Sequence, residues 1–233
     1  MDIEATEKEK PKIILQDYGL ISYSEAFCAQ QKLQATLIED KKNGKKTHSY
    51  LILCEHYPVF TYSKKTKSEN IQWNQAQRQQ QGIELVLTNR GGDVTYHGKG
   101  QIIAYFIADL EQFQADLHWY LRSLEEIIIF ALSEYHVSAY TLPGLTGVWV
   151  NQKGTDAKIA AIGIHVKNWV TLHGISLNVH PDLDHFQGII PCGIVEKPVT
   201  SLEQLTQRKY SLTEVKALLA RHWIHYFEKH RKV

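Results

Sequence analysis

Three short runs hold the residues whose types could do covalent chemistry. The run Ile189-Ile190-Pro191-Cys192-Gly193-Ile194 sets a thiol between a proline and a glycine. Most buried cysteines are inert packing groups, whereas a loop cysteine with such neighbours is better placed to meet a substrate. The run Asp156-Ala157-Lys158-Ile159-Ala160-Ala161-Ile162-Gly163-Ile164 sets one lysine ahead of small and apolar residues. A lysine that opens a strand is ordinarily a solvated edge residue, and small residues beyond it serve either tight packing or a ligand. The run Arg90-Gly91-Gly92-Asp93-Val94-Thr95-Tyr96-His97-Gly98-Lys99-Gly100-Gln101 surrounds an arginine and a histidine with glycines. Such glycines let a backbone approach a ligand and expose N–H donors, and they equally suit a hairpin with a surface arginine. The run matches neither GxGxxG nor GxxxxGK(S/T), the phosphate-binding patterns.

Composition narrows the setting of these runs. With 26 basic and 25 acidic residues among 233, the net charge of +1 excludes the global field of a nucleic-acid binder, so a charged partner must meet a local patch. Lys41, Lys42, Lys45 and Lys46, or Lys64, Lys65 and Lys67, are candidate patches, although lysine runs commonly form a solvated face. Cys28, Cys54 and Cys192 are an odd number without CxxC spacing, which argues against a disulfide framework or structural zinc and for a reducing, cytoplasmic setting. Twelve histidines include no HExxH pair, so no metal is expected. No stretch has the apolar length of a membrane span, and a soluble protein is expected.

The elements that must position the three runs follow from periodicity. Residues 1–11 read as a solvated arm and 12–233 as one domain, since no linker or repeat marks a boundary. Strands are expected at 12–18, 49–54, 83–88, 94–96, 101–110, 147–151, 158–166 and 169–179. A hairpin turn is expected at Lys167-Asn168. Helices are expected at 22–40 and at 116–135, the latter burying Leu117, Leu121, Leu124, Ile128, Ala131 and Leu132. A C-terminal helix should open with a Ser211–Glu214 capping box. Strands with a few helices laid on them predict an α+β fold, a mixed sheet flanked by helices.

Taken in order, RGGDVTYHG, KIAAIGI, the segment His173-Gly174-Ile175-Ser176-Leu177-Asn178, and PCGI followed by Val199-Thr200-Ser201-Leu202 resemble the octanoyl-(acyl-carrier-protein):protein N-octanoyltransferases, the lipoyl(octanoyl) transferase or LipB family. Glu55-His56-Tyr57-Pro58-Val59-Phe60-Thr61 is similar to that family's EHxPVFT segment. The resemblance spans roughly residues 51–202. It implies a fold related to biotin and lipoate protein ligases, a catalytic pair of Cys192 and Lys158, and no cofactor. It implies an acyl pocket made by Arg90, Gly91, Gly92, Asp93, Val94, Thr95, Tyr96 and His97 with Ala161, Ile162, Gly163, Gly174, Ile175 and Ser176. The implied donor is octanoyl-acyl carrier protein. The implied acceptors are lipoyl domains of 2-oxoacid dehydrogenase complexes and the glycine cleavage H protein. Two positions depart from the pattern: Lys99 replaces the proline of HGPG, and Ser63 replaces a glycine after PVFT.

The implied chemistry suits these groups. A cysteine with an ordinary pKa near 8.5 is only a few per cent thiolate at neutral pH, and a drop of about 1.5 units needs about 2 kcal/mol, within reach of one ammonium. The lysine can then carry the proton to the leaving thiol and later take one from the attacking amine. Thioester exchange is nearly balanced and the amide product is more stable, so no nucleotide is required. Oxyanion donors are expected from the Cys192-Gly193 loop or the Gly91-Gly92 turn, and His97 and His173 are either further proton carriers or structural groups. Burial of an alkyl chain supplies about 0.8 kcal/mol per methylene. An ATP-dependent ligase, an amidotransferase between carrier domains, and a silent acyl-binding protein are the alternatives.

Overall fold

The computed structural model describes residues 12–190 and 197–232. Cys192 and its neighbours Pro191, Gly193 and Ile194 lie outside the described residues. A seven-stranded mixed sheet has the order β1-β2-β6-β10-β9-β8-β7. Its members are β1 (Ile13–Ile21), β2 (Ser49–His56), β6 (Gln101–Ile107), β7 (Ala139–Leu142), β8 (Leu145–Gln152), β9 (Thr155–Lys167) and β10 (Val170–Asn178). Only β1 and β2 run parallel; the other neighbours are antiparallel. A second sheet, β4-β3-β5, joins β3 (Val59–Tyr62), β4 (Glu84–Leu87) and β5 (Thr95–His97).

The helices cover the large sheet from both sides. α1 (Tyr23–Lys42) starts at a Ser22–Glu25 capping box and buries Ala26, Leu37 and Ile38 against Ile52, Ile103 and Ile107. α3 (Leu117–Ser133) starts where Asp116 accepts from the His118 and Trp119 amides, and α5 (Leu212–Lys229) closes the chain. These two pack Leu124, Ile128, Val215, Leu219, Trp223 and Phe227 on the opposite face, over Leu51, Phe106, Ile159 and Leu177. Two short helices, α2 (Gln75–Gln80) and α4 (Leu202–Thr206), complete the set of described α-helices. The α+β class and the helix-flanked mixed sheet are as the strand and helix periodicities predict.

Several expectations need correction. β3 and β7 are strands that the periodicity did not predict; β3 is buried along Val59–Thr61 and β7 is half-buried throughout, so neither alternates. The hairpin turn sits at Asn168-Trp169, both with positive φ, because Lys167 pairs with Val170 to close a two-residue loop. Ser211 occupies the N-cap of α5 without a side-chain hydrogen bond, so its expected box does not form. Leu117 is 44% exposed, since the first turn of α3 projects beyond the sheet; Tyr120 and Ile127 fill the core instead.

Candidate active site

Lys158 faces the cleft because β9 carries a bulge. Val148 of β8 pairs with Ala160, but the next residue, Trp149, pairs with Lys158, leaving Ile159 as the extra residue. Ala160, Ile162 and Ile164 belong to the core beneath α3 and α5, so unbroken alternation would aim residue 158 into that core. The bulge turns Lys158 to the opposite face. There it is 8% exposed, with Nζ 4.6 Å from the centre of the Trp149 ring. A buried ammonium needs compensation, and the indole face supplies some of it. The Lys158 amide donates to Pro198 O at 2.9 Å, and its carbonyl accepts from the Thr200 amide at 3.0 Å. A solvated strand-opening lysine is thus not what the fold makes of this position.

The next hollow is lined by Arg90, Gly92, Asp93, Val94, Thr95, His97, Ala161, Ile162, Gly163, Gly174, Ile175 and Ser176, with Tyr23, Ile103, Tyr105 and His173 added. It holds about 480 Å³ including its mouth. Thr95, Ala161 and Ser176 also line the hollow that contains Lys158, Trp149 and Lys197, so the two adjoin. Two expected lining residues stand elsewhere. Tyr96 is 1% exposed on the far side of β5, its hydroxyl 2.8 Å from His185 Nδ1, because a strand sends Thr95 and His97 one way and Tyr96 the other. Gly91 faces a neighbouring groove, and its N–H donates to Ile164 O at 2.8 Å, so that amide is already committed and does not serve as an oxyanion donor.

Arg90 is held rigidly. Its Nη2 donates to Thr61 O at 2.6 Å and Nε donates to Thr61 Oγ1 at 3.1 Å, which gives the PVFT segment a role in fixing the glycine-rich loop. A Cβ on Gly163 would lie 3.0 Å from Arg90 Cδ and from Gly91 O, so the loop crosses β9 only over a glycine. Ser63 donates to Gly92 O at 3.0 Å and braces the same loop. Lys99 points away, with Nζ 5.8 Å from the Tyr57 ring centre.

The inner end of the cleft is aromatic and uncharged. Tyr23 stacks on His97 at 6.2 Å between ring centres, and Phe27 on His173 at 5.2 Å. Burial holds the His173 pKa down at about 3, helped by the Arg90 charge, and holds His56 at about 4. His97 is lowered by the same burial and by its histidine and arginine neighbours. His173 Nε2 donates to Asn89 Oδ1 at 2.7 Å; His56 Nδ1 donates to Ile21 O at 2.9 Å and Nε2 accepts from the Tyr105 hydroxyl at 2.7 Å. All three are neutral near pH 7, which makes His97 and His173 a wall rather than proton carriers. No group of three or more potential metal ligands occurs among the described residues.

Residues 25–224 match the lipoyl protein ligase A/B catalytic domain. An octanoyltransferase of Cytophaga hutchinsonii is 40% identical over 228 residues, 94% of this chain and 93% of that protein. One from Flavobacterium johnsoniae is 43% identical over 225 residues, 93% of this chain and 97% of its own. The chain belongs to the octanoyltransferase family. Structures agree on the fold: a bipartite lipoate protein ligase from Thermoplasma acidophilum superposes with TM-score 0.71 at 15% identity, covering 94% of this chain and 85% of that one. A biotin protein ligase from Aquifex aeolicus in complex with biotin and ATP gives 0.54 at 14% identity, covering 94% and 72%.

Within this octanoyltransferase framework, four residues around Lys158 escaped sequence reasoning. Trp149 lies nine positions upstream, and only the bulged register brings it beneath the ammonium. Glu125 is fully buried on α3 and accepts from the Gly147 amide at 3.0 Å, while its other oxygen sits 2.6 Å from Arg122. Gly147, at φ +121°, has no room for a side chain: a Cβ would meet Ala160 O at 2.8 Å and Lys158 Cε at 3.4 Å. A carboxylate amid apolar helix positions was the available signal for Glu125. Lys197, which pairs with Asp156 at 2.6 Å, completes that hollow.

Proposed function

We propose that this octanoyltransferase-family chain takes an octanoyl or lipoyl group from acyl carrier protein as a thioester on Cys192. It then delivers the group to a lysine of a lipoyl domain or of the glycine cleavage H protein, without ATP or a cofactor, in the cytoplasm. The observation that carries the reading is the juxtaposition of Lys158 with the apolar cleft: a buried lysine at one end of a hollow that small residues keep open. Lys197, five positions past Cys192 in sequence, lines the same hollow as Lys158, which supports the pairing. In the first half-reaction the Cys192 thiolate attacks the carrier thioester, forming one C–S bond and breaking another, and Lys158 returns the proton to the departing thiol. In the second, the acceptor amine attacks the acyl carbon, Lys158 takes its proton, and Cys192 leaves as thiolate. The alkyl chain lies between Arg90–His97 and β9–β10, where Ala161 and Ser176 present small side chains to the cleft. Each buried methylene adds about 0.8 kcal/mol, so chains one or two methylenes shorter should be used about 4- to 15-fold less well rather than excluded.

A donor comparison tests this. Purified protein and an apo lipoyl domain are supplied either with octanoyl-acyl carrier protein and no nucleotide, or with free octanoate and ATP. Octanoylated domain is expected only from the first mixture. Product only from the second would make the chain a ligase instead.

A further inference from the structure

β9 is buried where β8 covers it, at Ala157–Ala160, and only half-buried from Ala161 through Val166. The change follows from β8, whose register with β9 ends at Val148–Ala160. Gly147 turns away to hydrogen-bond Glu125 on α3. Further along, the Gly91 amide closes the edge again at Ile164 O. Ala160 and Ile164 direct their backbone groups to this outer side, so by alternation Ile162 does too. No described strand pairs with β9 on that side between these two positions. The gap opens into a groove bounded by Leu121, Leu145 and Thr146 on one side and by Gly91 and Gly92 on the other, with Lys158 at its end.

Natural sheets blunt exposed edges with lysine, proline or a covering loop. Here the edge reads Ala-Ile-Gly-Ile-His-Val, and the nearest charge on the strand beyond it is Lys167. An apolar edge left unguarded beside a buried lysine suits a chain that arrives in extended form. Past Gly91-Gly92 the adjoining groove carries exposed Lys64 and Lys65, for which no ion pair exists among the described residues, together with the exposed Leu117. That rim suits a partner with acidic side chains and an apolar contact.

We propose that the Ile162 edge of β9 is the docking site of the acceptor. An extended segment of an acidic carrier domain pairs with Ile162 through two backbone hydrogen bonds, its neighbouring lysine directed along the groove toward Lys158. This rests on the acyl-transfer reading above, and the test separates the two. Hydrogen–deuterium exchange of the wild-type chain, without acyl donor, is measured with and without saturating apo lipoyl domain. Slower exchange is expected in the peptide that contains Ile162. In parallel, Leu145→Asp is assayed in each half-reaction. Thioester formation from octanoyl-acyl carrier protein is expected to stay within about twofold, while the acceptor KM rises about tenfold or more. Unchanged exchange at Ile162, or an unchanged acceptor KM, overturns the docking site. A chain that never forms the thioester overturns the transfer reading instead, and the exchange experiment still decides the edge.

Discussion

Single residues here act largely by being small or by being neutral. Gly163 admits the Arg90 loop, His97 and His173 line the cleft without charge, and neutral His56 packs edge-on to His97. Their neutrality has a thermodynamic consequence. A histidine whose folded pKa lies at about 4 (His56) or about 3 (His173), against 6.5 when unfolded, stabilises the fold fully above pH 6.5. That stability is lost as pH falls through the interval, at up to about 1.4 kcal/mol per pH unit for each. Urea unfolding should therefore weaken steeply between about pH 6.5 and pH 4, and His56→Gln, though less stable at neutral pH, should flatten the slope. An unchanged slope would mean that His56 is not held neutral by the fold. In the sequence these histidines stand in motif runs that do not reveal their charge; burial, which only the packed sheet defines, fixes their state.

At the scale of elements, the bulge in β9 and the anchor on α3 decide where Lys158 points. Glu125 fixes the Gly147 amide, and Gly147 walls the lysine stem, so Glu125 is a positioning residue. Glu125→Ala leaves the Gly147 N–H without its acceptor at a cost of about 1–3 kcal/mol, and thioester formation should fall about tenfold with a displaced pH profile. Glu125→Gln keeps an oxygen for Gly147 and should restore most of the rate. Equal rates and pH profiles in both variants would remove Glu125 from this role. Most long elements were legible: α1, α3 and α5 follow from the spacing of their apolar residues, and β6 from an unbroken apolar run. The bulge was not, because Ile159-Ala160-Ala161-Ile162 is apolar throughout and shows no break in alternation. Register, hence the partnership of Lys158 with Trp149, comes from strand pairing alone.

Across the whole molecule, motifs far apart in sequence converge on one cleft. The glycine-rich loop, the β9 run and the His173-Ser176 segment meet there because β9 and β10 are hairpin partners and the small sheet folds its loop over them. Their order was readable; that Tyr96 and Gly91 turn elsewhere was not, since strand facing and loop hydrogen bonds decide it. Of the two cysteines described, Cys54 is buried and its thiol pKa is pushed up by that burial, while Cys28 is exposed on α1. The central claim is therefore a choice among three thiols. Intact-mass analysis after mixing the protein with octanoyl-acyl carrier protein, without acceptor or ATP, makes that choice. The account predicts one hydroxylamine-sensitive octanoyl adduct, absent in Cys192→Ser and formed more slowly in Lys158→Ala. An adduct that persists in Cys192→Ser, or forms at the same rate in Lys158→Ala, would contradict it.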